Sequence, residues 1–263
     1  MCELLGLAFE RPISADFSIS AFAPRSEENA DGWGLAWYPD QASAIVKEPK
    51  RWDSSEIAGF LKDYSHLRSS FYIGHVRHRT TGGTPTHADT HPFVRERGGR
   101  DLVFAHNGTL EGHFWDLPLG LARPLGRTDS ERAFCILLDR LDRRGGTFDD
   151  SDSWSWLFEQ LRDLNQFGRL NVLLSDGRRL FAYRDWNGWK GLTRRRVVLH
   201  PDRPRHFSDR TMAVDLVDQD GGEPDVGHVI ATTPLGGDGW ESIEPGIMMV
   251  FQGSRAMTVG IDF

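Results

Sequence analysis

The second residue of the chain, Cys2, could be a nucleophile that carries its own base. Methionine aminopeptidases remove Met before a small residue, so the mature chain would begin at Cys2 with a free α-amine. An α-amine titrates at about 7.7–8.0 and a thiol at about 8.5, close enough for the amine to take the thiol proton during acyl transfer. The same residue also reads as a small apolar member of the run Cys2–Phe9, because free cysteine packs well in cores. Three further segments carry polar groups suited to acyl chemistry. His106-Asn107-Gly108 can aim an amide Nδ2 and a backbone N–H at a tetrahedral oxyanion, although Asn-Gly is equally a hairpin signal. Gly74-His-Val-Arg77 puts a guanidinium at a strand exit, where it could hold a carboxylate in bidentate fashion or simply face water. Arg127-Thr-Asp-Ser-Glu131 puts Asp129 at a helix start, where it could accept from an ammonium, while Thr128 and Glu131 explain the segment as a capping box.

These segments need elements to hold them. Runs at 2–9, 33–38, 43–47, 71–77 and 102–106 read as strands, the last two each followed by polar or glycine-rich loops. Asp53 and Ser54 can cap a helix whose Ile57, Phe60, Leu61 and Tyr64 share one face, a face expected to lie on a sheet. Thr128–Glu131 opens a helix through Ala133, Phe134, Ile136, Leu137, Leu138 and Leu141 that stops near Gly145-Gly146. A second helix is expected over about 153–164. Further strands are expected at 169–174, 180–184, 211–217, 229–232 and 247–252. Strands, then two or three helices, then strands again argue for an α+β class with antiparallel sheets rather than an alternating parallel winding.

Composition limits the function classes. With 263 residues, 39% hydrophobic and 26% charged, the chain can build a core and is not a disordered one. Its 38 acidic against 31 basic residues give a net charge of -7, which argues against non-specific nucleic-acid binding. No run approaches the length of a membrane span, and the start lacks the basic and apolar regions of a secretory signal. Two cysteines, Cys2 and Cys135, fit a reducing compartment, so the expectation is a soluble, cytoplasmic protein with a buried, inert Cys135.

Taken in order, the segments resemble the class II glutamine amidotransferases, which are N-terminal-nucleophile hydrolases. The resemblance rests on Met-Cys-Glu-Leu-Leu-Gly at the start, Asn-x-Asp-Gly-Trp-Gly at 29–34 and the His-Val-Arg strand ending at Arg77. It continues through Thr90-His-Pro-Phe93, Phe104-Ala-His-Asn-Gly108, Thr128-Asp-Ser-Glu131 and Ala231-Thr-Thr-Pro-Leu235. It implies a four-layer αββα sandwich of two antiparallel sheets and a single domain over 1–263, with the mature chain at 2–263. It also implies hydrolysis of the glutamine γ-amide through a Cys2 thioester, with Asn107 and Gly108 binding the oxyanion. Arg77 would hold the substrate carboxylate and Asp129 its ammonium, with Thr80 and His106 as further substrate contacts. No metal or organic cofactor is implied. Partners would be the small-molecule substrate and a separate ammonia acceptor or activating protein, with no nucleic acid and no membrane. Many members continue the arginine with Trp-Ala-Thr-His-Gly; here His78-Arg-Thr-Thr-Gly82 follows, so the loop over the substrate differs.

Three alternatives stay open at this level. One is hydrolysis of another γ-glutamyl amide or peptide, as in thiol or glutathione metabolism. Another is a metal-dependent hydrolase drawing on His75, His78, His87, His91 and His106, of which His87-x₃-His91 has ligand-like spacing. The bland counterpart is that His91 and His106 are buried, hydrogen-bonded histidines beside the site. The third is a non-catalytic member that binds ligand or partner without turnover. The tryptophan pairs 33/37, 154/156 and 186/189 read as core rather than as partner surfaces.

Overall fold

The computed structural model describes residues 2–18, 32–50, 54–62, 64, 67–77, 86–201, 203–208, 212–218 and 221–260. Strand β1 is Glu3–Ser18, followed by β2 (Gly32–Trp37), β3 (Ala44–Glu48), helix α1 (Glu56–Lys62) and β4 (Arg68–Arg77). A hairpin of β5 (Phe93–Arg97) and β6 (Arg100–Leu110) leads through a short 3-10 turn to helices α2 (Asp129–Arg144) and α3 (Ser151–Asn165). The remainder is strand: β7 (Gly168–Ser175), β8 (Leu180–Tyr183), β9 (Thr193–Leu199), β10 (Arg205–Ser208) and β11 (Ala213–Val217). The last four are β12 (Asp225–Ala231), β13 (Glu241–Ser242), β14 (Met248–Gln252) and β15 (Arg255–Val259).

These strands form two sheets. The first runs β13-β9-β12-β1-β4-β2-β3, with β11 also on β1 and β10 on β11; the second runs β15-β14-β8-β7-β6-β5. Every described pairing is antiparallel. The period-2 alternation of strand side chains divides the core into layers. Leu4, Ala8 and Ile73 of the first sheet meet Val103, Ala105, Leu173 and Ala182 of the second to fill the space between the sheets. Phe104, Leu170, Val172 and Leu174 turn the other way and pack with Phe134, Leu138, Leu157 and Leu161 of α2 and α3. Leu5, Leu7, Trp33, Leu35 and Leu235 cover the far face of the first sheet together with Ala58 and Leu61 of α1. The α+β class and paired antiparallel sheets are as expected, and the outer layer over the first sheet contains only one short described helix.

Several local expectations need correction. β1 is twice as long as the apolar run at 2–9, because its register shifts between Ala8 and Ile13 and the continuation pairs with β11. β6 does not stop at His106 but runs on to Leu110, so Asn107 and Gly108 are ladder residues paired with Asn171 and Leu170, not a turn. Among the described side chains of α1, Ala58 and Leu61 are the buried ones, whereas Ile57, Phe60 and, just past the helix, Tyr64 face solvent, with the rings of Phe60 and Tyr64 stacked on each other. Ser55, not Ser54, caps that helix, its Oγ accepting from Ala58 N at 2.9 Å; Asp53 lies outside the described residues. Trp33 and Trp37 are core as expected and Trp154 and Trp156 pack against it, but Trp186 is exposed.

Candidate active site

Cys2 and Asn107 are 105 residues apart and come together where the two sheets face each other. The alternation along β6 sends Val103, Ala105 and Asn107 to the inter-sheet side and Phe104 and His106 to the helix side. The buried Asn107 side chain crosses from the second sheet to the first, its Nδ2 donating to the Cys2 carbonyl oxygen at 2.7 Å. A carboxamide nitrogen carries two hydrogens, so one remains for another acceptor. Asn107 Oδ1 is buried with no hydrogen-bond partner among the described residues. The neighbouring Leu4 is clamped to the start of the loop after β12, with Leu4 N donating to Thr232 Oγ1 at 2.9 Å and Thr232 N to Leu4 O at 3.2 Å. Cys2 is therefore held from both sides, by a side chain of β6 and by the backbone next to it.

Gly108 sits where β7 approaches most closely. A side chain there would run into the Arg169 carbonyl and the His106 ring, so the Gly in Asn-Gly answers to packing rather than to a turn. His106 is buried on the opposite face of β6 from Asn107, and both ring nitrogens are engaged. Nε2 faces the Arg169 carbonyl at 3.0 Å, which can only accept, so the proton belongs on Nε2; Nδ1 then accepts from Ser130 Oγ at 2.9 Å. Burial lowers its pKa and keeps the imidazole neutral. His106 therefore braces β6, β7 and α2, with both ring nitrogens engaged by the protein.

Asp129 is the first residue of α2, half-buried, and its Oδ2 accepts from Leu110 N at 2.7 Å. This bond docks the helix start on the end of β6, a few residues beyond Asn107, and leaves Oδ1 for a further donor. The preceding Thr128 accepts from Glu131 N at 3.2 Å, but Glu131 does not complete the capping box. Its carboxylate instead accepts from Gly126 N at 2.6 Å and pairs with Arg95 at 2.6 Å, fixing the approach to the helix.

The loop before β5 supports the same corner. Asp89 Oδ1 accepts from Arg127 N at 2.7 Å, and Lys47 Nζ donates to the carbonyls of Thr90 at 2.6 Å and Pro92 at 3.2 Å. The His91 carbonyl occupies the place a side chain at position 34 would take, which explains the glycine of the Trp-Gly pair in β2. His91 is buried, its ring stacked 4.1 Å from that of His75 and 4.6 Å from that of Phe93, while His87 is exposed. Among the described residues no three His, Cys, Asp or Glu side chains are grouped to hold a metal ion. Arg77 ends β4 opposite Gly32, in the strand adjacent to β1. Thr80, His78 and the loop that follows lie outside the described residues.

Sequence reasoning missed a second polar layer behind Asn107. Asp185 is fully buried: Oδ2 accepts from Leu170 N at 3.0 Å and Asn165 Nδ2 at 2.8 Å, and Oδ1 from Asn187 N and Trp189 N. Asn171, the ladder partner of Asn107, accepts from Asp185 N and donates to Trp189 O, both at 3.0 Å. Asp185 thus ties the 185–189 turn to the strand residues directly across from Asn107 and Gly108. The available signal was the polar pair Asn171 and Asp185 flanking otherwise apolar strands.

Residues 1–261 match the family of class II glutamine amidotransferases. YafJ of Escherichia coli is 35% identical over 263 residues, covering 95% of this chain and 97% of its own. A protein of Pseudomonas aeruginosa described as a predicted glutamine amidotransferase has a crystal structure that superposes with a TM-score of 0.76 at 30% identity, covering 97% of this chain and 99% of that one. The fold is also similar to that of glutamine phosphoribosylpyrophosphate amidotransferase from Bacillus subtilis, with a TM-score of 0.61 at 18% identity over 98% of this chain and 48% of that one. With the family matched over nearly its full length, the chain belongs to the class II glutamine amidotransferases.

Proposed function

We propose that this protein hydrolyses the γ-amide of glutamine through a thioester on Cys2. The observation that carries the reading is the part-buried bond from Asn107 Nδ2 to the Cys2 carbonyl, which holds an amide donor at the nucleophile's own residue. After removal of Met1, the α-amine takes the Sγ proton as sulfur attacks the γ-carboxamide carbon. The oxyanion that forms is met by the second hydrogen of Asn107 Nδ2 and by Gly108 N–H. The resulting ammonium returns its proton to the leaving nitrogen, ammonia departs and the thioester remains. Water, activated by the same amine, then attacks the thioester; glutamate leaves and Cys2 is restored. Arg77 takes the substrate α-carboxylate and Asp129 Oδ1 its α-ammonium. Ammonia passes to solvent or to a separate acceptor enzyme.

The test combines turnover with intact mass. Purified protein should lack Met1, release glutamate from glutamine and gain one adduct, mapped to Cys2, from a glutamine-like diazoketone. Cys2→Ala should do neither, and Asn107→Ala should lose kcat by about 100- to 1,000-fold, the usual cost of an oxyanion donor. Glutamine hydrolysis that survives in Cys2→Ala would sink the proposal.

A second reading has one observation in its favour. Arg169 lies one inward-facing position along β7 from Asn171, over the Trp189 ring at 5.5 Å, and has no carboxylate partner among the described residues. An unpaired guanidinium at this end of the sheet suits a γ-glutamyl amide whose leaving part carries an anion. A higher kcat/KM for a γ-glutamyl dipeptide than for glutamine, reversed in Arg169→Gln, would favour it.

A further inference from the structure

A separate cleft on the far face of the first sheet has the make-up of an anion site. It is a cavity of about 400 Å³ lined by Arg195 of β9, by Arg205, His206 and Ser208 of β10, and by Gly236 and Gly237 of the loop after β12. No carboxylate of the described residues lines it. The Arg195 guanidinium lies 5.1 Å over the buried Phe207 ring, and its Nη1 donates to the Gly236 carbonyl at 3.4 Å. Neither Arg195 nor Arg205 has a carboxylate partner among the described residues, whereas the adjacent Arg194 is paired with Glu241 at 2.5 Å. His206 shares the cleft and is held by Asp215 at 2.7 Å. The sequence around it, Thr193 to His206, contains five arginines (Arg194, Arg195, Arg196, Arg203 and Arg205) and one acidic residue (Asp202), in a chain of net charge -7.

Two guanidinium groups that line one cavity, with no carboxylate partner among the described residues, form a phosphate-recognising arrangement, because each planar fork matches two phosphate oxygens. The volume falls in the range of small-ligand pockets. The buried Phe207 and Leu235 beneath it give an organic tail an apolar surface. The geometry points to a binding site for a small phosphate monoester. Its position links it to the catalytic end. Gly236 and Gly237, both at positive φ, belong to the loop that begins at Thr232, the residue hydrogen-bonded twice to Leu4 beside Cys2. A ligand that holds this loop acts through the four peptide bonds from Gly236 to Thr232 on the backbone of Leu4, two residues from Cys2, so occupancy regulates the nucleophile.

Calorimetric titration with glycerol 3-phosphate and with inorganic phosphate, at constant ionic strength and with chloride as control, tests the binding. Saturable one-site binding is expected for both phosphates and not for chloride. Arg205→Gln, an exposed change that leaves the core intact, should weaken it at least about tenfold, and Arg195→Gln should do the same. No saturable binding at about 10 mM phosphate ester, or binding unaltered in Arg205→Gln, overturns the site. The rate of Cys2 alkylation by the diazoketone should change at saturating glycerol 3-phosphate in the natural protein and not in Arg205→Gln. An unchanged rate overturns the regulatory half. That second readout rests on Cys2 being the nucleophile; the titration does not, so the two proposals can fail separately.

Discussion

At the residue scale, the two cysteines sit in opposite surroundings. Cys2 is half-exposed at the start of β1, whereas Cys135 is buried in α2 and its thiol is pushed up to about 11, chiefly by burial. A thiol with that pKa is almost wholly protonated at neutral pH and does not compete for an electrophile. Asp129 commits one oxygen to Leu110 N and keeps the other, which suits a contact that orients a substrate without reacting with it. In the proposed mechanism, Asp129→Ala and Arg77→Ala remove contacts remote from the reacting amide. Each should raise KM for glutamine by about 10-fold or more with a smaller change in kcat. Steady-state kinetics would check this, and an unchanged KM in either variant would remove that residue from substrate recognition.

At the scale of elements, the start of α2 is the part that matters most. The helix is fixed to β6 by Asp129 and Leu110, to the hairpin by Glu131 and Arg95, and to β7 through Ser130, His106 and the Arg169 carbonyl. Ser130→Ala leaves the buried His106 Nδ1 without a donor. A loss of about 1–3 kcal/mol in unfolding free energy is expected, read from denaturant midpoints. If the brace holds β6 in register, kcat for glutamine falls as well, while Cys2 is still alkylated. Helix α1 shows the opposite behaviour. Among its described side chains Ala58 and Leu61 are the buried ones, too little surface to draw Phe60 and Tyr64 inward, so a face that looks apolar in sequence stays wet.

At the scale of the whole molecule, the meeting of Cys2 and Asn107 depends on the two sheets staying in register. Sheet-to-sheet ties occur at the start of β1 and near its middle, where the register shifts. Asn107 reaches Cys2 at the start, and Glu10 accepts from Ser254 N at 2.8 Å midway along. Lys47 joins β3 to the loop before β5, and burial lowers its pKa to about 8, opposed by the Glu131 charge and aided by Arg95. The sign follows from proton counting. Between about pH 8 and the ordinary lysine pKa of about 10.4, the unfolded chain binds the proton that the folded one has released. This group therefore raises stability as pH rises through that window. Denaturant midpoints of the natural protein should show this rise relative to Lys47→Met, in which the slope is absent. Equal slopes in the two proteins would mean Lys47 is not desolvated in solution.

The local chemistry was legible in the sequence because it is written in neighbours. A cysteine after Met1, a cap at Thr128, the α2 stripe from Ala133 to Leu141 and the strand runs all depend on contacts a few residues apart. The family resemblance followed from the order of such segments, and with it the paired antiparallel sheets. What the tertiary structure decided depends on partners far away along the chain. Asn107-Gly108 became a strand because Asn171 and Leu170 lie across from it, and a ladder partner overrides a turn preference. His106 and Asn107 are adjacent yet serve opposite faces, since successive strand residues point opposite ways and only packing says which face meets Cys2. The Asp185 network left in the sequence only a polar pair, Asn171 and Asp185, and the cleft beneath Arg195 only an arginine-rich stretch. Each is assembled from separate strands, and a carboxylate or a guanidinium in sequence does not reveal which distant backbone groups will surround it.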